Sequence, residues 1–351
     1  MHPFTEFDDL AVVSAKKPDR EAMTLCAVGR NEMYFLPAFL EHYRKLGIEQ
    51  FAIINDRSTD GTKEFLLSQP DVVLFESEYR FCDEVNLPKD MVDKMLNGRI
   101  IHIWRTILYA RFAKDRWALL TDLDEFIHLP PGQKFQDIAR MLDRNGSNLV
   151  YGLMLDVYPE TLSDLAAMAN QQEIDPTANW YFDAEPHLKL RKHKFPKALH
   201  PGARARLYRE YEITRPYQNP DVPKSKYKIW WKRMKHSRFG TKIPLYNNIY
   251  KPLMSKWPEG SYFRDSHRTS IEGSHEILLP FQHYRFTGAI YAKIDMAIRE
   301  NSYSAGSRDH HLLSELLLKM KAAGDPTFLY KNSRVLQNFD DLREAGVSIG
   351  L

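Results

Sequence analysis

Between Met23 and Asp122, short apolar runs alternate with apolar residues at helical spacing, and this constrains the fold more than any other feature. Residues 23–28 (MTLCAV) read as a buried strand. Leu36, Phe39, Leu40 and Tyr43 then recur on one helical face, and Gly47 follows as a stop. Residues 51–55 (FAIIN) give a second strand, closed by the polar turn DRSTDGT. A helix over 63–67 and a strand over 72–75 come next. Ile100, Ile101, Trp104, Ile107, Leu108 and Phe112 trace one face of a longer helix, and residues 117–121 (WALLT) form a strand that runs into Asp122. Strands alternating with helices predict an α/β protein with a mostly parallel sheet flanked by helices.

In such sheets a ligand sits outside the carboxyl ends of the strands. Three polar clusters fall there: Arg30-Asn31-Glu32, Asp56 to Thr62, and Asp122-Leu123-Asp124-Glu125. The expected organisation is a lead-in over 1–22, a ligand-binding half over 23–150, a second half of mixed structure over 151–300, and a helical tail over 301–351. In the tail, Leu312, Leu313, Leu316, Leu317 and Met320 share a face.

Charge and cysteine content narrow the function classes. Lys plus Arg number 49 against 46 Asp plus Glu, too small an excess to argue for nucleic acid. Two stretches are basic and aromatic, His187 to Arg209 and Lys224 to Arg238. They read either as solvated loops or as a patch facing phosphates, those of a bound diphosphate or of an anionic membrane surface. Only Cys26 and Cys82 are present, which implies no disulfide framework and fits a reducing cytoplasm. No run approaches the ~18 apolar residues of a membrane span, and no signal pattern opens the chain. The expectation is a soluble, cytoplasmic protein, with peripheral membrane contact as the alternative use of the basic stretches.

Asp122-Leu123-Asp124 carries the most specific chemistry. In extended backbone, residues two apart face the same side, so both carboxylates would meet one ligand. Hard oxygen donors suit Mg²⁺ or Mn²⁺, which complete their shells with phosphate oxygens and water. In DRSTDGT, Ser58, Asp60 and Thr62 read as turn and helix-cap residues. Asp56 stands at the strand end, where it could accept a hydrogen bond from a base N–H.

The run CAVGRNEMYFLPAFLEHYRKLGIEQFAIINDRSTDGT, followed by WALLTDLDEFI, LDVYPE, YFD, a GxRxR element and HYRF, resembles the family 2 glycosyltransferases of the GT-A fold. The resemblance is to a bacterial subgroup and extends from about Met23 to Asn301. It implies a GT-A-like fold, a divalent cation (Mn²⁺ or Mg²⁺) and a nucleotide-diphosphate sugar, UDP- or GDP-linked, as donor to a glycan or other hydroxyl acceptor. Asp56 would contact the base, and Arg30 and Glu32 would line the nucleotide pocket. Asp122 would approach the ribose or the metal shell, and Asp124 would ligate the metal. A histidine completes the shell, His283 first and His267 second. Arg204 and Arg206 are either a phosphate clamp or a solvated basic turn, since Pro201-Gly202 stands where the subgroup has two glycines. Asp156, at the end of the next strand, is the candidate general base, or else a plain turn residue. Inversion at the anomeric carbon is expected.

Two other classes compete with this reading. A nucleotidyltransferase would need a glycine-rich basic loop after the first strand, and GRNEMYF has one glycine. A catalytically inactive carbohydrate-binding protein would not be expected to keep Asp56, Asp122 and Asp124. Hydride transfer is disfavoured because the first turn lacks G-x-G-x-x-G.

Overall fold

The computed structural model describes residues 4–92, 98–215, 243–244, 248–300, 304–324 and 326–351. The basic stretch from Lys224 to Arg238 lies outside them.

Nine strands form one sheet: β1 (Ala11–Val12), β2 (Thr24–Gly29), β3 (Gln50–Asn55), β4 (Val72–Glu76), β5 (Trp117–Leu120), β6 (Glu125–Ile127), β7 (Leu149–Asp156), β8 (Tyr250–Lys256) and β9 (Leu278–His283). Their spatial order is β1-β4-β3-β2-β5-β8-β7-β9-β6. β4, β3, β2 and β5 run parallel, as the sequence predicts, and β9 is parallel to β7. β8 is antiparallel to both β5 and β7, and the edge strands β1 and β6 are antiparallel to their neighbours. The predicted boundary at 150 therefore falls inside β7, and strands from both halves share one continuous sheet.

Strand alternation divides the core between the two faces of the sheet. Leu25, Ala27, Phe51, Ile53, Val72 and Leu74 face α1 (Leu36–Lys45) and α3 (Phe135–Arg144), and Phe39, Tyr43, Phe126 and Phe135 interlock there. Cys26, Ala52, Ile54, Val73 and Phe75 face α2 (Ile100–Phe112). That helix was expected to be amphipathic, yet His102, Arg105 and Thr106 are buried along with its apolar residues. The cause is a lid of Trp257 and Phe263, stacked on each other and against Tyr109, which covers the face that would otherwise meet water.

A third cluster forms around Tyr158, Phe286 and Phe328. There α4 (Ala203–Glu210), α5 (Ile290–Glu300) and α6 (Ser304–Ala322) pack on the second half. The tail is not helical throughout. After α6, residues Ser333–Val335 pair with Tyr181–Asp183, and Ile349 bonds Leu278 at the start of β9. Among the described residues, no helix is long and apolar enough to cross a membrane.

Candidate active site

A cleft of about 290 Å³ opens at the carboxyl ends of β2, β3 and β5 and collects all three polar clusters. Gly29, the last residue of β2, makes its floor possible: a Cβ there would lie 2.4 Å from Leu123 Cδ1. Arg30, Glu32, Asp56, Asp122, Asp124 and His283 all line the cleft.

The D-x-D segment is a turn rather than extended backbone. The Asp122 N–H donates to Glu125 Oε2 at 2.9 Å, and the Glu125 N–H returns to the Asp122 carbonyl at 3.2 Å. Asp122 and Asp124 therefore reach the cleft with different neighbours. Asp122 accepts from Arg105 at 2.7 Å and from Lys251 Nζ at 2.9 Å. Lys251, its side chain only 4% exposed, also donates to both oxygens of buried Glu125 at 2.7 and 2.8 Å. Burial would raise the Asp122 carboxyl, but Lys251 and Arg105 hold it well below the usual carboxylate range. Glu125 stays raised because burial outweighs Lys251.

Asp124 lies 3.7 Å from His283 Nε2 and 3.5 Å from Lys293 Nζ, with no tighter ion pair among the described residues. Strand register sets this meeting. His283 ends β9 opposite Glu125 of β6 on one side and Asp156 of β7 on the other, and the Tyr284 N–H donates to the Asp124 carbonyl. Burial opposes ionisation of Asp124, but Lys293 and His283 lower its pKa below the ordinary value.

The structure revises the expectation for Asp156. Its carboxylate does not line the cleft. One oxygen meets His283 Nδ1 at 2.6 Å and the other accepts from Arg204 Nε at 2.7 Å. Against its burial, Arg204 and His283 keep the carboxyl well below the usual range, so it is a poor proton acceptor. Asp156 instead orients His283, fixing the tautomer that presents Nε2 toward Asp124. This is the outer-shell carboxylate arrangement common to metal-binding histidines.

Arg204 and Arg206 point inward, so neither is a solvated turn residue or a clamp in the cleft. Arg204 neutralises Asp156, while Arg206 pairs with Asp183 at 3.0 Å and stacks over the Tyr330 ring at 4.2 Å. Two residues apart on α4 they point about 200° apart, and because the helix is packed on both sides each reaches its own carboxylate at a strand end. Within the same basic stretch, Lys189, Lys192, Lys194 and Lys197 are solvent-exposed and none lines the cleft. His267 also lies outside the lining; its Nδ1 meets the Tyr250 carbonyl at 2.6 Å, and burial depresses its pKa to about 4.

Asp183, His187 and His200 bring three donor atoms within 4.8 Å of one another. The Asp183 carboxylate also takes bonds from Arg206 Nε and Nη2 and from Tyr158 at 2.7 Å.

At the other end of the cleft, the loop after β3 is bound to the loop after β2. The Asn31 N–H donates to Ser58 Oγ, the Glu32 N–H to Thr62 Oγ1 and the Met33 N–H to Asp60 Oδ2, at 3.0, 2.9 and 3.1 Å. Cap residues expected for the following helix thus brace the Arg30-Asn31-Glu32 loop, where Asn31 takes a left-handed φ of 55°. Arg30 is anchored by Glu300 at 2.6 Å, and Glu32 by Lys293 at 2.8 Å. The buried Asp56 carboxylate closes no well-formed hydrogen bond; the Phe81 N–H approaches it, and Arg80 Nε is 3.8 Å away. Burial pushes its pKa up to about 6, with Arg30 opposing.

Sequence reasoning missed Lys251, Lys293, Arg105, Arg285 and Asp309. Arg105 lies within the expected helix but outside the apolar face read for it. Asp309 lies beside the apolar stripe read in the tail, and Lys293 lies on a helix that the sequence reading did not identify. Lys251, before a proline in a weakly patterned region, carried no local signal.

No protein-family model matches the chain, and no curated protein matches its sequence. Among solved structures, UDP-glucose pyrophosphorylase from Acinetobacter baumanii is similar at 10% identity and a TM-score of 0.27, over 84% of this chain and 99% of that one. An overlap this low carries no argument about the reaction.

Proposed function

We propose that the protein transfers a sugar from a nucleoside-diphosphate sugar, UDP- or GDP-linked, to an acceptor hydroxyl with inversion, using a divalent cation. One observation carries this reading. Asp124 and an oriented His283 face each other at the centre of a cleft that also holds buried guanidinium nitrogens without a hydrogen-bond partner among the described residues, Arg105 Nη1 and Arg285 Nε. The donor pair is 3.7 Å apart, so closing by roughly 0.7 Å would make it a cis pair on an octahedral ion with bonds of about 2.1 Å, and the unpaired N–H groups suit phosphate oxygens.

In this reading Asp124 and His283 hold Mn²⁺ or Mg²⁺, which supplies charge stabilisation to the departing diphosphate. Arg285 and Arg105 donate to its oxygens, and Lys293 adds a positive charge beside Asp124. Asp122, fixed by Arg105 and Lys251, faces the ribose. Asp56 accepts from a base ring N–H, which uracil and guanine offer, while the ring nitrogens of adenine and cytosine at that edge are acceptors. Phe81 lines the same end of the cleft.

The test is thermal stability with UDP-, GDP-, CDP- and dTDP-sugars, with and without Mn²⁺. Stabilisation by a uridine or guanosine donor only when metal is present is expected. Release of pyrophosphate from a nucleoside triphosphate and a sugar phosphate would replace this reading with nucleotidyl transfer. Metal-dependent binding with no nucleotide release from any donor would leave a binding protein.

A pH dependence follows from Asp56. The ionised carboxylate is the stronger acceptor for a base N–H, and burial pushes its folded-state pKa up to about 6. Affinity for UDP or GDP should therefore fall as pH drops through that value, by up to roughly tenfold per unit once protonation dominates. Calorimetric titration across the range should give this slope, and Asp56→Asn should flatten it. An equally steep dependence in the variant would remove Asp56 from the base site.

A further inference from the structure

With Asp156 sealed behind His283, the reaction lacks a proton acceptor, and we infer that Asp309 on α6 is the general base that takes the proton from the acceptor hydroxyl. This assignment rests on the glycosyl-transfer reading above.

Five carboxylates line the cleft, and four are committed elsewhere. Glu32 gives both oxygens to Lys293 at 2.8 and 3.1 Å. Asp122 is pinned between Arg105 and Lys251. Asp124 faces His283 and Lys293. Asp56 lies at the nucleobase end, and its charged neighbours are Arg30, Arg57, Arg80 and Asp83. Asp309 shares none of those neighbours. Arg308 Nε lies 4.0 Å from it, its charge is felt by Arg204 and Tyr208, and its side chain is 61% exposed. It thus lies on the second-half side of the Asp124–His283 pair, in reach of solvent and of an incoming hydroxyl.

The adjacent His310 also lines the cleft but is a poor alternative. Burial and Arg285 depress its pKa to about 3, and its Nε2 faces Arg285 Nη2 at 3.4 Å. Asp309 and His310 are neighbours on α6, about 100° apart around the helix axis, and both line the cleft.

The step balances without a further reactant. The acceptor oxygen attacks the anomeric carbon and its proton passes to the Asp309 carboxylate. As the new C–O bond forms, the bond from carbon to the diphosphate oxygen breaks, and that oxygen leaves with the electron pair. Exposure lets Asp309 return the proton to water.

The experiment measures nucleotide released from UDP- and GDP-sugars with Mn²⁺, water serving as acceptor, and nucleotide affinity by titration. Asp309→Asn should lower kcat by about 10²- to 10⁴-fold while KM for the donor and affinity for UDP or GDP stay within about threefold of wild type. Asp309→Glu should recover part of the loss. The inference is overturned if Asp309→Asn keeps kcat within threefold while wild type turns over, or if its loss lies in KM and nucleotide affinity. A wild type that releases no nucleotide from any donor brings down the glycosyl-transfer reading itself, and this assignment with it.

Discussion

Asp124→Asn should reduce nucleotide release by at least about 10²- to 10³-fold, the scale seen when one charge-stabilising group is removed from an active site. It should also abolish the Mn²⁺-dependent part of donor stabilisation. The substitution keeps the shape of the side chain and removes the charge an ion needs beside His283. It should not harm the fold, because the partners of Asp124 are distant, His283 at 3.7 Å and Lys293 at 3.5 Å. Asp124 also raises the pKa of Glu32 and of Glu125, so deleting its charge relieves repulsion within a crowded acidic site. The variant should melt at or above the wild-type temperature in the absence of ligand. Persistence of the metal-dependent shift in the variant would place the ion elsewhere.

Lys251→Met should cost about 3–5 kcal/mol of stability, the range for removing one partner of a buried ion pair. One ammonium serves two carboxylates here, Glu125 at 2.7 Å and Asp122 at 2.9 Å. Methionine fills similar volume, so the loss is electrostatic rather than a cavity. The sign of the pH dependence checks the cause. Burial already raises Glu125 and loss of Lys251 raises it further, while Asp122 keeps Arg105, so at Glu125 the folded variant binds more protons than the unfolded chain. Stability is then retained at low pH and lost as pH rises through the elevated Glu125 pKa, so the deficit should be largest at neutral pH and shrink in acid. Urea denaturation at several pH values measures it. A deficit under about 1 kcal/mol at neutral pH would contradict a buried, uncompensated pair.

The first half was readable from sequence because each element announces itself locally. The apolar run at Phe51, the helical spacing of Leu36, Phe39, Leu40 and Tyr43, and the acids following WALLT need no distant information, and the structure places Asp56, Asp122 and Asp124 in one cleft. The second half was not readable, because its roles depend on contacts between residues far apart in the chain. Asp156 resembles any strand-end acid until His283 and Arg204 arrive from 127 and 48 residues away. Arg204 and Arg206 sit in a basic stretch that reads as surface, and only the helix they belong to turns them toward Asp156 and Asp183. The turn at Asp122 differs from the extended arrangement because Glu125 reaches back to its N–H, a three-residue contact that spacing alone does not reveal.

The antiparallel strand β8, wedged between β5 and β7, has a consequence for how such a protein can be altered. One cation that secures the acidic turn is contributed by a segment synthesised long after it, so a fragment ending near residue 150 would keep Arg105 beside Asp122 but leave buried Glu125 without Lys251. Exchanging the later part of the chain would, by the same token, exchange a piece of the cleft built on the first half, unless the lysine at 251 travelled with it.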